Sequence, residues 1–263
     1  MMNLINSVYR RFNATNNGFF VVLGHARTGT NLLCSLLNSH PDVTCAYEVL
    51  HPDDAGLRQK FHQDMVEATE HWFKPGHGRE QKDAIEYIQS RLLPRAGAGH
   101  PFGTKVLYWQ VQKLGLFNYL ARQNFGFLHM TRNPVEVHVS QLQAQQTGQW
   151  FLGRDEAQQQ AAPAMEVSLS ELTAFCRLYR KQLRRYDRIG PRRCGVDYEV
   201  LCKAPQRVMD RVFGFLGVQP VAVDSYSRKQ QSWNIRDRIM NFDDLLKNAA
   251  DDVRSHLEKI QNR

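Results

Sequence analysis

Residues 19–33 constrain this chain more than any other stretch. Phe19-Phe20-Val21-Val22-Leu23 is an apolar run too short for a full helix and rich in β-formers, which predicts a central strand of a buried parallel sheet. Gly24-His25-Ala26-Arg27-Thr28-Gly29-Thr30 then turns the chain. Leu32, Leu33, Leu36 and Leu37 follow on one face of a helix. Strand, glycine-bearing turn and helix in that order form the layout of a phosphate-binding loop. The helix start offers unpaired N–H groups and a partial positive charge, so an anion is expected there. Arg27 and the hydroxyls of Thr28 and Thr30 stand beside it.

The nucleotide version of such a loop, GxxxxGK[ST], needs a Lys before the final hydroxyl residue. This chain instead places its basic residue, Arg27, before Gly29. That weakens a magnesium-dependent kinase or hydrolase reading, and no second acidic strand compensates for it. A second strand–turn–helix lies about a hundred residues on, where Phe125–Met130 leads through Thr131-Arg132-Asn133 into Pro134. Pro134 suits the first helical position and Asn133 its cap, which leaves Arg132 at the carboxyl end of a strand. Ligands in open α/β sheets gather at those ends. Ser140 lies two helical turns further along.

Together these motifs resemble the PAPS-dependent sulfotransferases, whose donor is 3′-phosphoadenosine 5′-phosphosulfate. Arg27-Thr28-Gly29-Thr30, the leucines after it and His40-Pro41 are similar to the family's 5′-phosphosulfate loop, and most so to the bacterial carbohydrate types that act on nodulation-factor-like or glycolipid acceptors. Arg132 with Ser140 eight residues later matches its 3′-phosphate motif. The resemblance implies that Thr28, Gly29, Thr30 and Asn31 hold the 5′-phosphate, that Arg132 and Ser140 hold the 3′-phosphate, and that Arg27 neutralises charge on the leaving oxygen. It also implies Glu48, after a short second strand, as the base. A Glu that caps a loop or pairs with an Arg is the competing reading, and His51 and Asp53 are the fallbacks. Lys105 is expected near the mouth of the third main strand, touching acceptor or transferred group, or else on the surface beside the strand. Tyr198, in a strand end similar to the family's “YEDL”, is a candidate for the adenine edge. Arg228, Lys229 and Arg236 are candidates for closing over the 3′-phosphate. No metal is implied.

The alternation of strands and helices predicts an α/β fold with a P-loop-type central parallel sheet covered by helices on both faces. Strands are expected at 19–23, 43–46, 103–108, 125–130 and 194–198. Helices are expected at 30–39, across 57–93, at 113–123, from 134, at 168–188, at 205–216 and from 242. The 263 residues suit one domain spanning 1–263, with acceptor-site insertions at 51–100 and 145–165. Trp72, Phe73, Trp109 and Trp150 are candidate stacking faces, although large aromatics are more often core.

A formal charge of +8 and a pI near 9.4 fit an anionic partner without choosing among nucleotide, acidic glycan, nucleic acid and membrane. The basic residues cluster only from Arg177 to Arg193, read either as a solvated helix face or as a surface for an acidic acceptor or partner. The five cysteines make no metal-binding or disulfide pattern. With no signal-like or membrane-spanning apolar run, a cytoplasmic protein without stable membrane insertion is expected. A non-catalytic RNA- or membrane-binding protein is the competing class; the chain lacks the aromatic–basic motifs that would favour a nucleic-acid partner. The expected activity is sulfuryl transfer to a hydroxyl, or second to an amine, of a carbohydrate, glycolipid or small molecule. The oligomeric state is left open.

Overall fold

Strand β1 (Phe19–Gly24) is buried along its whole length because it has a parallel neighbour on each side and helices on both faces. The computed structural model describes residues 18–51, 73, 76–97, 99–148, 163–224 and 235–262. The described sheet is completed by β2 (Thr44–Ala46), β3 (Phe102–Leu107), β4 (Gly126–Thr131) and β5 (Arg192–Asp197). All pairs are parallel, in the spatial order β2-β3-β1-β4-β5. This is the expected α/β architecture.

Alternation along β1 sorts the core. Phe20 and Val22 pack with Leu33 and Leu37 of α1 (Thr30–Leu37) and with Val212 and Phe213 of α8 (Pro205–Leu216). Phe19, Val21 and Leu23 point the other way. They pack with Ala84 of α2 (Glu80–Tyr87), Val111 of α3 (Tyr108–Lys113) and Leu120 of α4 (Phe117–Arg122). A third cluster joins α5 (Pro134–Thr147) and α6 (Leu169–Tyr186) to α9 (Phe242–Asn248) and α10 (Asp251–Gln261), through Val135, Leu172, Phe242 and Leu257 among others. The short α7 (Tyr198–Lys203) follows β5 directly.

From β1 the chain crosses toward the β2 edge, whereas from β4 it crosses toward β5. Neighbouring strands whose connections diverge leave a crevice at their carboxyl ends. The loops after β1 and β4 both open there.

Several expected boundaries shift for local reasons. The single helix expected at 113–123 is two, because Gly115 adopts a left-handed φ of 62° between α3 and α4. The expected C-terminal helix breaks at Ala249, whose ψ of 145° is extended. The strand expected at 194–198 starts two residues earlier and ends at Asp197, where the Asp side chain accepts from Val200 N–H and caps α7. Within the expected helical region 57–93, α2 runs on through a π turn (Ile88–Leu92) and a 3-10 turn (Leu93–Arg95). Among the described residues no helix is long and apolar enough to cross a membrane. Arg228, Lys229, Asp53, Trp72 and Trp150 lie outside the described residues, as do large parts of 51–100 and 145–165.

The close fit of β1 on β3 gives a stability test. Gly103 lies beside Phe20, and a Cβ at 103 would run into the Phe20 ring. Gly103→Ala should destabilise by about 1–3 kcal/mol in urea unfolding. Combining it with Phe20→Leu should cost less than the sum of the two single changes, since both act on one packing defect. Additive losses would contradict this packing.

Candidate active site

The loop after β1 is tightened by its own residues. Thr28 donates its hydroxyl to the His25 carbonyl at 2.7 Å, and its side chain is fully buried. That hydroxyl closes the turn, which leaves the backbone N–H groups at the start of α1 as the candidate donors. Arg27 has φ 68°, the one non-glycine residue among those described with a left-handed backbone, and Gly29 has φ 90°. Such strain concentrates at functional sites because the surrounding structure must hold it. At Gly29 there is also no room for a side chain, because a Cβ would enter the Tyr198 ring. Gly29 is the N-cap of α1, which has no side-chain cap and no acidic residue in its first turn. Its orphan N–H groups therefore suit an anion.

Two guanidiniums converge on this helix start. Arg27 Nε donates to Ser140 Oγ at 3.1 Å, and Arg132 Nη1 donates to the Arg27 carbonyl at 3.0 Å. The three residues expected at the two phosphates are thus brought together from β1, β4 and α5. As expected, Asn133 caps α5, accepting from Val135 N–H, with Pro134 in its first turn. Burial, then the neighbouring Arg132 charge, push the Arg27 pKa down to about 10, which leaves it charged at neutral pH. Arg132 is held by Glu136 one helical turn on, whose Oε2 accepts from Nε at 3.2 Å and Nη2 at 3.0 Å. The Arg132 guanidinium carbon lies 4.3 Å from the Tyr198 ring centroid. Tyr198 is therefore buried between Arg132 and Gly29. Arg236 pairs with Asp243 at 3.0 Å and lies over the Phe242 ring.

A second polar group lies beside the loop on the β3 side. Lys105 Nζ is 2.5 Å from Glu48 Oε1 and also donates to Asn31 Oδ1. Glu48 Oε2 accepts from Gln110 Nε2 at 3.1 Å, and Gln110 Oε1 accepts from Leu107 N–H at 2.7 Å. Lys105 is 2 % exposed, so the surface alternative for it is ruled out, and the expected competing partner of Glu48, an Arg, is here a Lys. A carboxylate held by one ammonium and one amide is fixed in orientation, as a general base must be. Asn31 links this pair to the first turn of α1, so the candidate base and the candidate anion site share one hydrogen-bonded frame. His51 stands edge-on to Trp109, 5.1 Å between centroids, and Trp109 is exposed.

The sequence reading missed Gln110, Glu136, Tyr179 and Glu199. Tyr179 accepts from Arg132 N–H at 3.2 Å, and Glu199 from Asn133 N–H at 2.9 Å. Only Glu136 carried a local signal, its i,i+4 spacing from Arg132. The others reach the site across the fold.

The sulfotransferase family model matches residues 20–222. The chain is 26% identical over 237 residues to Nodulation protein H of Rhizobium tropici, covering 88% of this chain and 89% of that protein. It is 23% identical over 259 residues to Nodulation protein H of Rhizobium meliloti, covering 92% and 96%. Among solved structures, a sulfotransferase from Alicyclobacillus acidocaldarius is similar with a TM-score of 0.49 and 19% identity, covering 95% of this chain and 97% of that one.

Three histidines give the site region a pH signature. His25, His129 and His138 are held below the ordinary 6.5, chiefly by burial. His129 Nε2 shares a hydrogen bond with the Tyr108 hydroxyl, and its Nδ1 lies 3.2 Å from Asp187. The unfolded chain binds these protons more readily, so stability should fall as pH drops from about 7 toward 5. Each such His adds up to ~1.4 kcal/mol per pH unit. Urea midpoints between pH 7 and 5 should show this slope, and His129→Gln should flatten it whatever its effect on the level. A slope indifferent to His129→Gln would contradict the assignment.

Proposed function

The chain belongs to the sulfotransferase family and is an enzyme of that class; on that premise we propose that it transfers a sulfuryl group from 3′-phosphoadenosine 5′-phosphosulfate to a hydroxyl of a carbohydrate or glycolipid. The observation that carries this reading is the meeting of Arg27, Arg132 and Ser140 at the uncapped start of α1. A ligand with phosphates at both ends of a ribose fits two cations contributed by two loops. The donor supplies a sulfuryl group activated by a phosphate leaving group.

The residues divide the work. The backbone at Thr28, Gly29, Thr30 and Asn31 binds the 5′-phosphate, and Arg132 with Ser140 binds the 3′-phosphate. Arg27 neutralises charge on the departing oxygen. A guanidinium rarely yields a proton, so it works by charge and directed hydrogen bonds. Its present bond to Ser140 requires one or both side chains to turn toward the donor. Glu48 takes the proton of the acceptor hydroxyl. Lys105 orients Glu48 and stabilises the transferring oxygens. The carbohydrate preference is supported by the likeness of the loop motif to the bacterial branch. Exposed Trp109, next in sequence to the Gln110 that holds Glu48, offers a face for a sugar ring. The five cysteines are free thiols, which fits the proposed cytoplasmic setting.

Calorimetry tests the donor site directly. Adenosine 3′,5′-bisphosphate should bind without magnesium, and Arg132→Ala should weaken it roughly 10- to 150-fold, the worth of one or two charge-assisted hydrogen bonds. ATP with magnesium binding in preference to the bisphosphate would contradict the proposal. Glu48→Gln should leave bisphosphate affinity within a few-fold while lowering kcat by about 10²–10⁴ in single-turnover assays with labelled donor. A variant with unaltered turnover would remove Glu48 from the role of base.

A further inference from the structure

Helix α6 has two faces with different tasks. Inward, Tyr179 accepts from Arg132 N–H, and Phe175 packs edge-on against His25 at 5.3 Å. At ~100° per residue, Arg177, Lys181 and Arg184 fall on the side of α6 opposite Tyr179, and Arg188 follows in the turn just after the helix ends. All four are exposed. Residues 177–193 hold eight of the chain's 34 basic residues and one acid. That acid, Asp187, is directed to His129. Arg180 pairs with Asp252 at 2.8 Å, and Arg185 lies over Phe117, whereas Lys181, Arg184 and Arg188 make no ion pair among the described residues. Leu178, 53% exposed, borders this cationic face about 60° round the helix from Lys181.

We propose that the outer face of α6 seats the protein reversibly on an anionic lipid surface. Guanidiniums match lipid phosphates in geometry as well as charge. A bilayer interface also accepts the Leu178 side chain and the aliphatic stems around it, which a nucleic-acid backbone does not. Since the described residues contain no membrane-spanning helix, the attachment is peripheral and sensitive to salt. The Arg132 cluster on the other side of α6 then lies about one helix diameter, ~10 Å, from the lipid headgroups. The inference is independent of which donor or acceptor the site takes.

Sedimentation of the full chain with vesicles tests it. At low salt the protein should pellet with phosphatidylcholine vesicles containing phosphatidylglycerol, remain in solution with phosphatidylcholine alone, and be released by about 0.5 M salt. Changing Arg177, Lys181, Arg184 and Arg188 together to Glu should lower the bound fraction at least tenfold. The same positions changed to Gln should lower it less, and guard against a Glu variant that does not fold. Reversing four exposed cations elsewhere, Lys113, Lys203, Arg207 and Lys259, should leave most binding intact. Thermal unfolding and bisphosphate affinity report folding and the donor site separately from vesicle binding. Three results would each overturn the proposal: no pelleting with anionic vesicles, equal loss in both charge-reversed variants, or tighter binding to a DNA duplex that depends on the same four residues.

Discussion

The structure around the site depends on one buried cation, Arg132. Its backbone N–H reaches Tyr179 of α6, its guanidinium binds the Arg27 carbonyl and Glu136, and its flat face covers Tyr198 at the start of α7. Its side chain therefore ties together three segments, and its backbone N–H fixes a fourth. A guanidinium does this better than an ammonium, because its donors are fixed in a plane while its face remains free to stack. Burying it is tolerable because Glu136 supplies the countercharge one helical turn away.

That arrangement explains why the loop after β1 can hold a strained backbone. Arg27 sits in the left-handed region while its carbonyl is fixed by Arg132 and its side chain by Ser140. Gly29 meets Tyr198 too closely for any side chain, and Thr28 bonds back to His25. The loop is thus defined before any anion arrives, which lowers the ordering cost of binding. On the β3 side, Lys105 is shared between Glu48 and Asn31, so the candidate base is set by the same helix start that forms the candidate anion site.

Much of this was legible in the sequence because it is encoded locally. The apolar run of β1, the Arg27–Thr30 turn, the Asn133 cap with Pro134 and the spacing to Ser140 are each written within a few residues. The break at Gly115 was missed because a glycine in a helical pattern does not reveal its φ, and the break at Ala249 has no special residue to mark it. The burial of Lys105 was not legible either. A strand fixes which way its residues point, but whether a Lys meets water or a carboxylate depends on what β2 and α1 bring beside it. The packing of Tyr198 behind Gly29 and over Arg132 was not legible either, because it depends on how the end of β5 meets the loops after β1 and β4.

The most direct measurement is a crystal structure with adenosine 3′,5′-bisphosphate bound. The 5′-phosphate should lie on the amides at the start of α1, and the 3′-phosphate should lie within hydrogen-bond reach of Arg132 and Ser140, with the Arg27–Ser140 bond rearranged. A bisphosphate bound elsewhere, or with neither phosphate touching Arg132, would contradict the assignment of this cluster as the donor site.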